Sequence, residues 1–132
     1  MIKKAVGLFV AMLVAGFAVA VFASARDDDP ETVMITFRAK AGAETELAQV
    51  IADHWATAKK MDLVRVDPHV TVRTKDQGGQ PCFIDIFTWR DRDIPDNAPQ
   101  AIQKIWGDMG RLTETRDGRP GIDIKEVMLV SR

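Results

Sequence analysis

The sequence has few of the residues from which most dedicated sites are built. Its single cysteine, Cys82, excludes an internal disulfide, and the absence of tyrosine removes the usual phenol donor of an aromatic pocket. The motifs C-x-x-C, H-E-x-x-H, G-x-G-x-x-G, G-x-x-x-x-G-K-S/T and G-x-S-x-G are all missing. We therefore predict no metal site, no cofactor and no hydrolase-type serine.

Neither sign of charge dominates, because 18 basic residues face 19 acidic ones and the formal net charge is −1. Binding to a nucleic-acid backbone needs a basic face, and the sequence shows none, so we expect no nucleic-acid partner. Cys82 opens a predicted strand beside Phe83. This position favours a small buried hydrophobe, and the alternative is a reactive or dimer-bridging thiol.

The N-terminus has the pattern of an export signal. Lys3 and Lys4 precede an apolar run over residues 5–22, and Ala23-Ser24-Ala25 matches the small-x-small pattern of a signal-peptidase site. We predict a signal peptide over residues 1–25, a linker over residues 26–32 and a periplasmic or secreted domain over residues 33–131, with no membrane contact after cleavage. The alternative is a retained N-terminal membrane anchor, since the run approaches the roughly 20 residues that span a bilayer.

Periodicity predicts six elements in the domain. Two-residue alternation marks strands, and apolar residues at three- and four-residue spacing mark helices. The predicted order is strand 33–38, helix 44–60, strand 63–74, strand 82–89, helix 98–112 and strand 122–130. Gly107 and Gly110 should weaken the second helix, whose end is expected to be irregular or closely packed.

The second strand carries a proline within its alternating pattern. Even positions from Val64 to Val72 are predicted to share one face and the odd, polar positions the other. Pro68 lacks the amide hydrogen that a central strand donates, so this strand should lie at a sheet edge or carry a bulge. Residues 76–81 (DQGGQP) should form the turn of a hairpin with the third strand.

The order β-α-β-β-α-β predicts an α+β, ferredoxin-like fold with two helices on one face of a four-stranded antiparallel sheet. Apolar side chains lie on both faces of the third strand: Ile84 and Ile86 on one, Phe83 and Phe87 on the other. Two helices cover only one face, so we predict an obligate homodimer through the other.

Two side chains, Asp85 and His54, are candidates for chemistry. Asp85 lies mid-strand among apolar neighbours, where it is either an acid/base group or a structural partner of an arginine or threonine. His54 falls on the apolar stripe of the first helix, as a base, a haem ligand or a satisfied core histidine. His69 is on a polar strand face, where we expect solvent exposure. Trp55, Trp89, Trp106 and Phe87 could line a pocket for a flat organic ligand or simply pack the core.

The stretch Ile86-Phe87-Thr88-Trp89-Arg90-Asp91, between a hairpin and a helix, resembles the antibiotic biosynthesis monooxygenase-like family of dimeric α+β barrels. In that family the third strand typically ends in an aromatic or acidic residue, then tryptophan, then a basic residue. The resemblance covers residues 33–130 and implies two sheets packed face to face across a two-fold axis. Members include cofactor-free oxygenases of aromatic substrates and haem-degrading enzymes.

The sequence departs from this family at two positions. The histidine that many relatives carry in the second helix has no counterpart in residues 101–112, and the asparagine of haem-degrading members is missing from residues 33–38. Both departures disfavour haem degradation. We expect an exported homodimer that binds a small, mostly apolar organic ligand, with catalytic roles for Asp85 and His54 if it is a cofactor-independent monooxygenase. The alternative is a non-catalytic binding or interaction protein.

Overall fold

The computed structural model describes residues 29–131, so the predicted signal peptide lies outside the described residues. Along the chain the elements are β1 (Glu31–Arg38), α1 (Glu44–Lys60), β2 (Val64–Lys75), β3 (Pro81–Trp89), a 3₁₀ turn (Pro95–Asn97), α2 (Gln100–Arg111) and β4 (Ile122–Glu126). Over this part of the chain, no helix is long and apolar enough to cross a membrane.

The four strands form one antiparallel sheet in the order β2-β3-β1-β4. Both helices pack on one face of this sheet, so the predicted ferredoxin-like α+β fold is confirmed. The core lies between helices and sheet and is formed mainly by Val33, Ile35, Phe37, Leu47, Ile51, Phe83, Phe87, Trp89, Ile102 and Met109.

Pro68 has the surroundings that its chemistry predicts. Strand β2 is an edge strand, and its register against β3 shifts between the pairs Val64–Trp89 and His69–Phe87. The shift corrects one prediction, because the even positions do not share a face along the whole strand. Val64 lies on the helix side of the sheet and is buried, whereas Val70 lies on the opposite side. Beyond the shift the polar residues of β2 face the helices.

Strand β4 is shorter than predicted, ending at Glu126 rather than Val130. The last pair that β4 makes with β1 is Val33 with Glu126, and the amide of Val127 still donates to the carbonyl of Thr32. Strand β1 begins at Glu31, so little strand remains to pair with residues 128–130. Two-residue alternation continues in the sequence, but a strand also needs a neighbour.

Candidate functional site

A cavity of about 530 Å³ lies between α2 and the β1–β4 side of the sheet. Helix α2 packs mainly against α1 and makes few direct contacts with the sheet, which leaves this space open. The cavity is lined mostly by apolar side chains, namely Val33, Ile35, Phe37, Trp89, Pro95, Trp106, Met109, Ile122 and Ile124. Its polar lining comes from His54, Glu31 and Glu126. An apolar cavity with a few polar groups is the usual form of a small-molecule site.

His54 enters the cavity wall from the buried face of α1. Its ring lies 5.7 Å from that of Phe87, 5.9 Å from that of Trp89 and 6.3 Å from that of Trp106, measured between centroids. Burial in this aromatic setting, with a smaller contribution from the charge of His69, lowers the pKa of His54 to about 4. The imidazole is therefore neutral at pH 7.

One hydrogen bond fixes which nitrogen of His54 carries the proton. The indole Nε1–H of Trp106 donates to Nε2 of His54 at 3.0 Å, and an indole nitrogen can only donate. Nε2 is therefore the acceptor, and the single proton of the neutral ring is on Nδ1. His54 can offer a ligand a donor, whereas its basic lone pair is already occupied.

The acidic side of the cavity is one that the sequence reasoning missed, because it placed Glu31 in the linker. Glu31 pairs with Trp89 at the start of β1 and lines the cavity together with Glu126. Burial raises the pKa of Glu31, the negative charge of Glu126 raises it further, and Arg92 opposes both. The signal was present in the sequence, since Glu31 is in phase with the inward-facing Val33 and Ile35.

Asp85 is buried, with 1% of its surface exposed, but it does not line this cavity. Thr71 Oγ1 donates to its Oδ1 at 2.6 Å, and Nε2 of His69 lies 3.1 Å from the same oxygen. Burial raises the pKa of Asp85, and the Thr71 hydrogen bond and the charge of His69 act against this rise. Of the two roles expected for Asp85, the observed contact is the structural one, a hydrogen bond from a threonine of the neighbouring strand.

His69 corrects the prediction of solvent exposure. The register shift in β2 turns it toward the helices, where its ring stacks on Trp55 with 3.8 Å between centroids and an angle of 12° between planes. It is only partly exposed and contacts the carboxylate of Asp85. Two-residue alternation alone could not predict the direction of the His69 side chain, because the register shift reverses which face of the sheet the later residues of β2 point to.

The six predicted site residues fall into two groups. His54, Trp89 and Trp106 line the cavity. Asp85, Phe87 and Trp55 do not line it; Asp85 and Trp55 both contact His69, and Phe87 packs against Trp89 with 5.0 Å between centroids. His54 and Asp85 therefore do not act on one ligand in this cavity. Within residues 29–131, no three side chains of histidine, cysteine, aspartate or glutamate come together as a metal site.

Solved structures share this arrangement of strands and helices. A variant of SnoaB from Streptomyces nogalater, described as a cofactor-independent oxygenase, matches with a TM-score of 0.58 and 17% identity, over 79% of this chain and 96% of that one. Rv0793 from Mycobacterium tuberculosis matches with a TM-score of 0.55 and 12% identity, over 79% of this chain and 98% of that one. The chain has an antibiotic biosynthesis monooxygenase-like fold.

A third structure with this fold is a conserved protein of unknown function from Bacteroides thetaiotaomicron, described as a possible oxidoreductase. It matches with a TM-score of 0.55 and 11% identity, over 75% of this chain and 98% of that one. No family model matches the sequence, and no curated protein matches it either. At such low sequence identity the likeness to these proteins concerns the fold alone, and function has to be argued from the site.

Proposed function

We propose that the cavity between α2 and the sheet binds a small, mostly apolar organic molecule that carries an oxygen acceptor. The observation that supports this is the combination of an apolar lining with one neutral imidazole, whose Nδ1–H would be the donor to the ligand. Apolar area would supply most of the affinity, at about 25 cal/mol per Å² buried. The hydrogen bond from His54 would set the orientation.

We propose further that the ligand is an electron-rich phenol and that the protein oxidises it with O₂ without a cofactor. Glu31, whose pKa is raised, would accept the phenol proton, and His54 would donate to the resulting oxyanion. The phenolate then transfers an electron to O₂, a carbon–oxygen bond forms on the ring, and loss of water leaves a quinone. One phenol and one O₂ give one quinone and one water.

A non-catalytic binding protein is the second candidate, and one observation favours it. The Nε2 lone pair of His54 is occupied by Trp106, and the Asp85 carboxylate is held by Thr71 outside the cavity. Neither of the two residues predicted as catalytic is then free to remove a proton from the ligand. Among residues 29–131, Glu31 and Glu126 are the remaining bases that line the cavity, which makes Glu31 the residue that separates the two candidates.

The binding proposal is tested with the bicyclic phenol 1-naphthol on the chain that begins at Arg26. A bound ligand raises the melting temperature by mass action, so we expect a saturable rise with 1-naphthol concentration. Ile124→Trp should abolish the rise, because Ile124 is an exposed lining residue and the larger side chain would occupy space in the cavity. Ala56→Trp, on the exposed side of α1, is the matched control. An equal rise in both variants would contradict the site.

The oxygenase proposal is tested by O₂ uptake with the same phenol. Glu31→Gln should retain the thermal shift and lose O₂ uptake, because the amide cannot accept the proton. His54→Gln should weaken binding and slow uptake together. Saturable binding with no uptake by the unaltered protein would favour the non-catalytic candidate.

We propose that the protein works outside the cytoplasm as a homodimer. Export is supported by the basic start, the apolar run and the Ala23-Ser24-Ala25 site. Intact-mass measurement of protein recovered from the periplasm or medium should give a chain that begins at Arg26. Full-length protein found only in membranes would instead support the anchor.

A further inference from the structure

A second cavity, of about 390 Å³, lies on the face of the sheet opposite the helices. Its floor includes Thr36 and Arg38 of β1 and Asp123 and Lys125 of β4, and its sides come from the end of the β2–β3 hairpin and from the loop between α2 and β4. Charged and polar side chains predominate in it, unlike in the cavity beside His54. A different class of ligand is therefore expected here.

Two largely buried arginines line this cavity, and one of them, Arg116, is paired with carboxylates of the chain. The side chain of Arg116 is 13% exposed, and its Nη1 donates to Oδ2 of Asp76 at 2.5 Å. Its Nε lies 3.3 Å from a carboxylate oxygen of Glu114, and its Nη2 donates to the carbonyl of Ala39 at 2.7 Å. Two carboxylates and a backbone carbonyl therefore balance this guanidinium.

Arg38 is buried, with 7% of its surface exposed, but no carboxylate of the chain is paired with it as with Arg116. Its Nη1 donates to the carbonyl of Pro120 at 2.6 Å. Among the described residues, no carboxylate lies within 4.0 Å of its side-chain nitrogens. A buried charge is costly unless it is paired, and a guanidinium presents five N–H donors in a planar fork that suits an oxyanion. The contrast with Arg116 indicates that the counter-charge of Arg38 comes from outside the chain.

We propose that Arg38 anchors a site for a small oxyanion, either a carboxylate or a phosphate, in this second cavity. Lys125 and Arg119 line the same cavity as exposed cations and would add to the attraction. Asp123, also in the lining, acts against it, because its negative charge competes with the anion for Arg38. The site is on the opposite face of the sheet from His54, so it does not depend on the phenol proposal. It shares that face with the proposed dimer contact but lies on β1 and β4, whereas the valines of that contact lie on the edge strand β2.

The test uses inorganic phosphate and the chain that begins at Arg26, at pH 7 and at an ionic strength held constant with sodium chloride. Melting temperature and titration calorimetry should both show saturable binding. The guanidinium of Arg38 would supply charge-assisted hydrogen bonds that glutamine cannot, so Arg38→Gln should weaken phosphate binding at least about tenfold. Asp123→Asn should bind phosphate several-fold more tightly. Arg73→Gln removes an exposed arginine on the other face of the sheet and should change nothing.

Further arms identify the anion and guard against misfolding. Succinate in place of phosphate tests a carboxylate ligand. The anion that binds with the higher affinity shows whether the site prefers carboxylates or phosphates. Arg38→Lys keeps the charge and should retain part of the affinity if Arg38→Gln does not fold. Sedimentation with and without phosphate separates binding from anion-driven association. Stabilisation that sodium chloride reproduces, or that Arg38→Gln leaves intact, would overturn the proposal.

Discussion

His54 holds a neutral imidazole among aromatic rings, and its neutrality links stability to pH. Its pKa in the folded chain is about 4, below the value of 6.5 for an exposed histidine. Between these values the unfolded chain binds a proton that the folded chain does not, so acidification favours unfolding. Stability from this residue is present above pH 6.5 and is lost as the pH falls toward 4.

We predict that His54→Gln flattens this part of the pH dependence. A shift of this size corresponds to roughly 3 kcal/mol between pH 7 and pH 4, and glutamine can still accept the hydrogen bond from Trp106. The measurement is the free energy of unfolding by urea at several pH values, taken as the difference between the unaltered chain and the variant. Asp85 and Glu31 titrate in both chains and cancel. Parallel pH curves would show that His54 does not titrate as described.

The buried carboxylate of Asp85 has two close polar partners, and the shorter contact is the hydrogen bond that Thr71 donates at 2.6 Å. We predict that Thr71→Val destabilises the fold at pH 7 by about 1.5–3 kcal/mol, because the carboxylate loses a hydrogen bond. The loss should shrink as the pH falls through the raised pKa of Asp85, since a protonated carboxyl no longer needs that donor. Thr74→Val, on the opposite face of β2, is the control. A loss that is equal at every pH would contradict this account.

The sequence predicted single residues well where burial decides their position and less well where contacts do. The inward turn of His54 and the burial of Asp85 follow from helical spacing and strand alternation. Their separation does not follow, because the contact of Asp85 with His69 depends on a register shift that leaves only a proline as its trace. Glu31 was missed because three preceding aspartates gave the stretch the composition of a linker.

At the scale of elements, α2 contains two glycines, Gly107 and Gly110, that are exposed to solvent. Neither Gly107 nor Gly110 would bring a Cβ within 4 Å of a neighbour, so the expected close packing is not found. The helix nevertheless continues to Arg111, because Ile102 and Met109 are buried against the core. Packing of one face has overridden a weak intrinsic preference.

We predict that Gly107→Ala stabilises the protein by about 0.5–1 kcal/mol, because alanine loses less backbone entropy in a helix and meets no obstacle here. Gly121→Ala is the matched opposite, since its Cβ would lie 2.8 Å from the backbone nitrogen of Glu114. That crowding should cost about 1–3 kcal/mol. Thermal unfolding of both variants measures the two effects. A destabilising Gly107→Ala would indicate an unrecognised role for the open face of α2.

At the scale of the whole molecule, the sheet has two unequal faces. The face of the sheet that the helices cover forms the core and one wall of the cavity beside His54. Beyond the register shift, the polar side chains of β2 also point to this face. The opposite side receives Val70 and Val72, next to Ile86 and Ile84 of β3. Because the shift turns the apolar residues of β2 away from the helices, it increases the apolar area on the uncovered face.

Val70 is 49% exposed and Val72 is 44% exposed on this uncovered face, where Ile84 and Ile86 are only partly buried. Large apolar patches are uncommon on soluble monomers, and a two-fold dimer is the commonest closed arrangement that buries one. We predict that the chain beginning at Arg26 sediments as a dimer at micromolar concentration and that Val72→Lys makes it monomeric, because the lysine would place a charge in an apolar contact. Ala56→Lys adds the same charge on the exposed side of α1 and should leave the dimer intact. A stable monomer of the unaltered chain, free of aggregation, would contradict the dimer and require another explanation for the valines of β2.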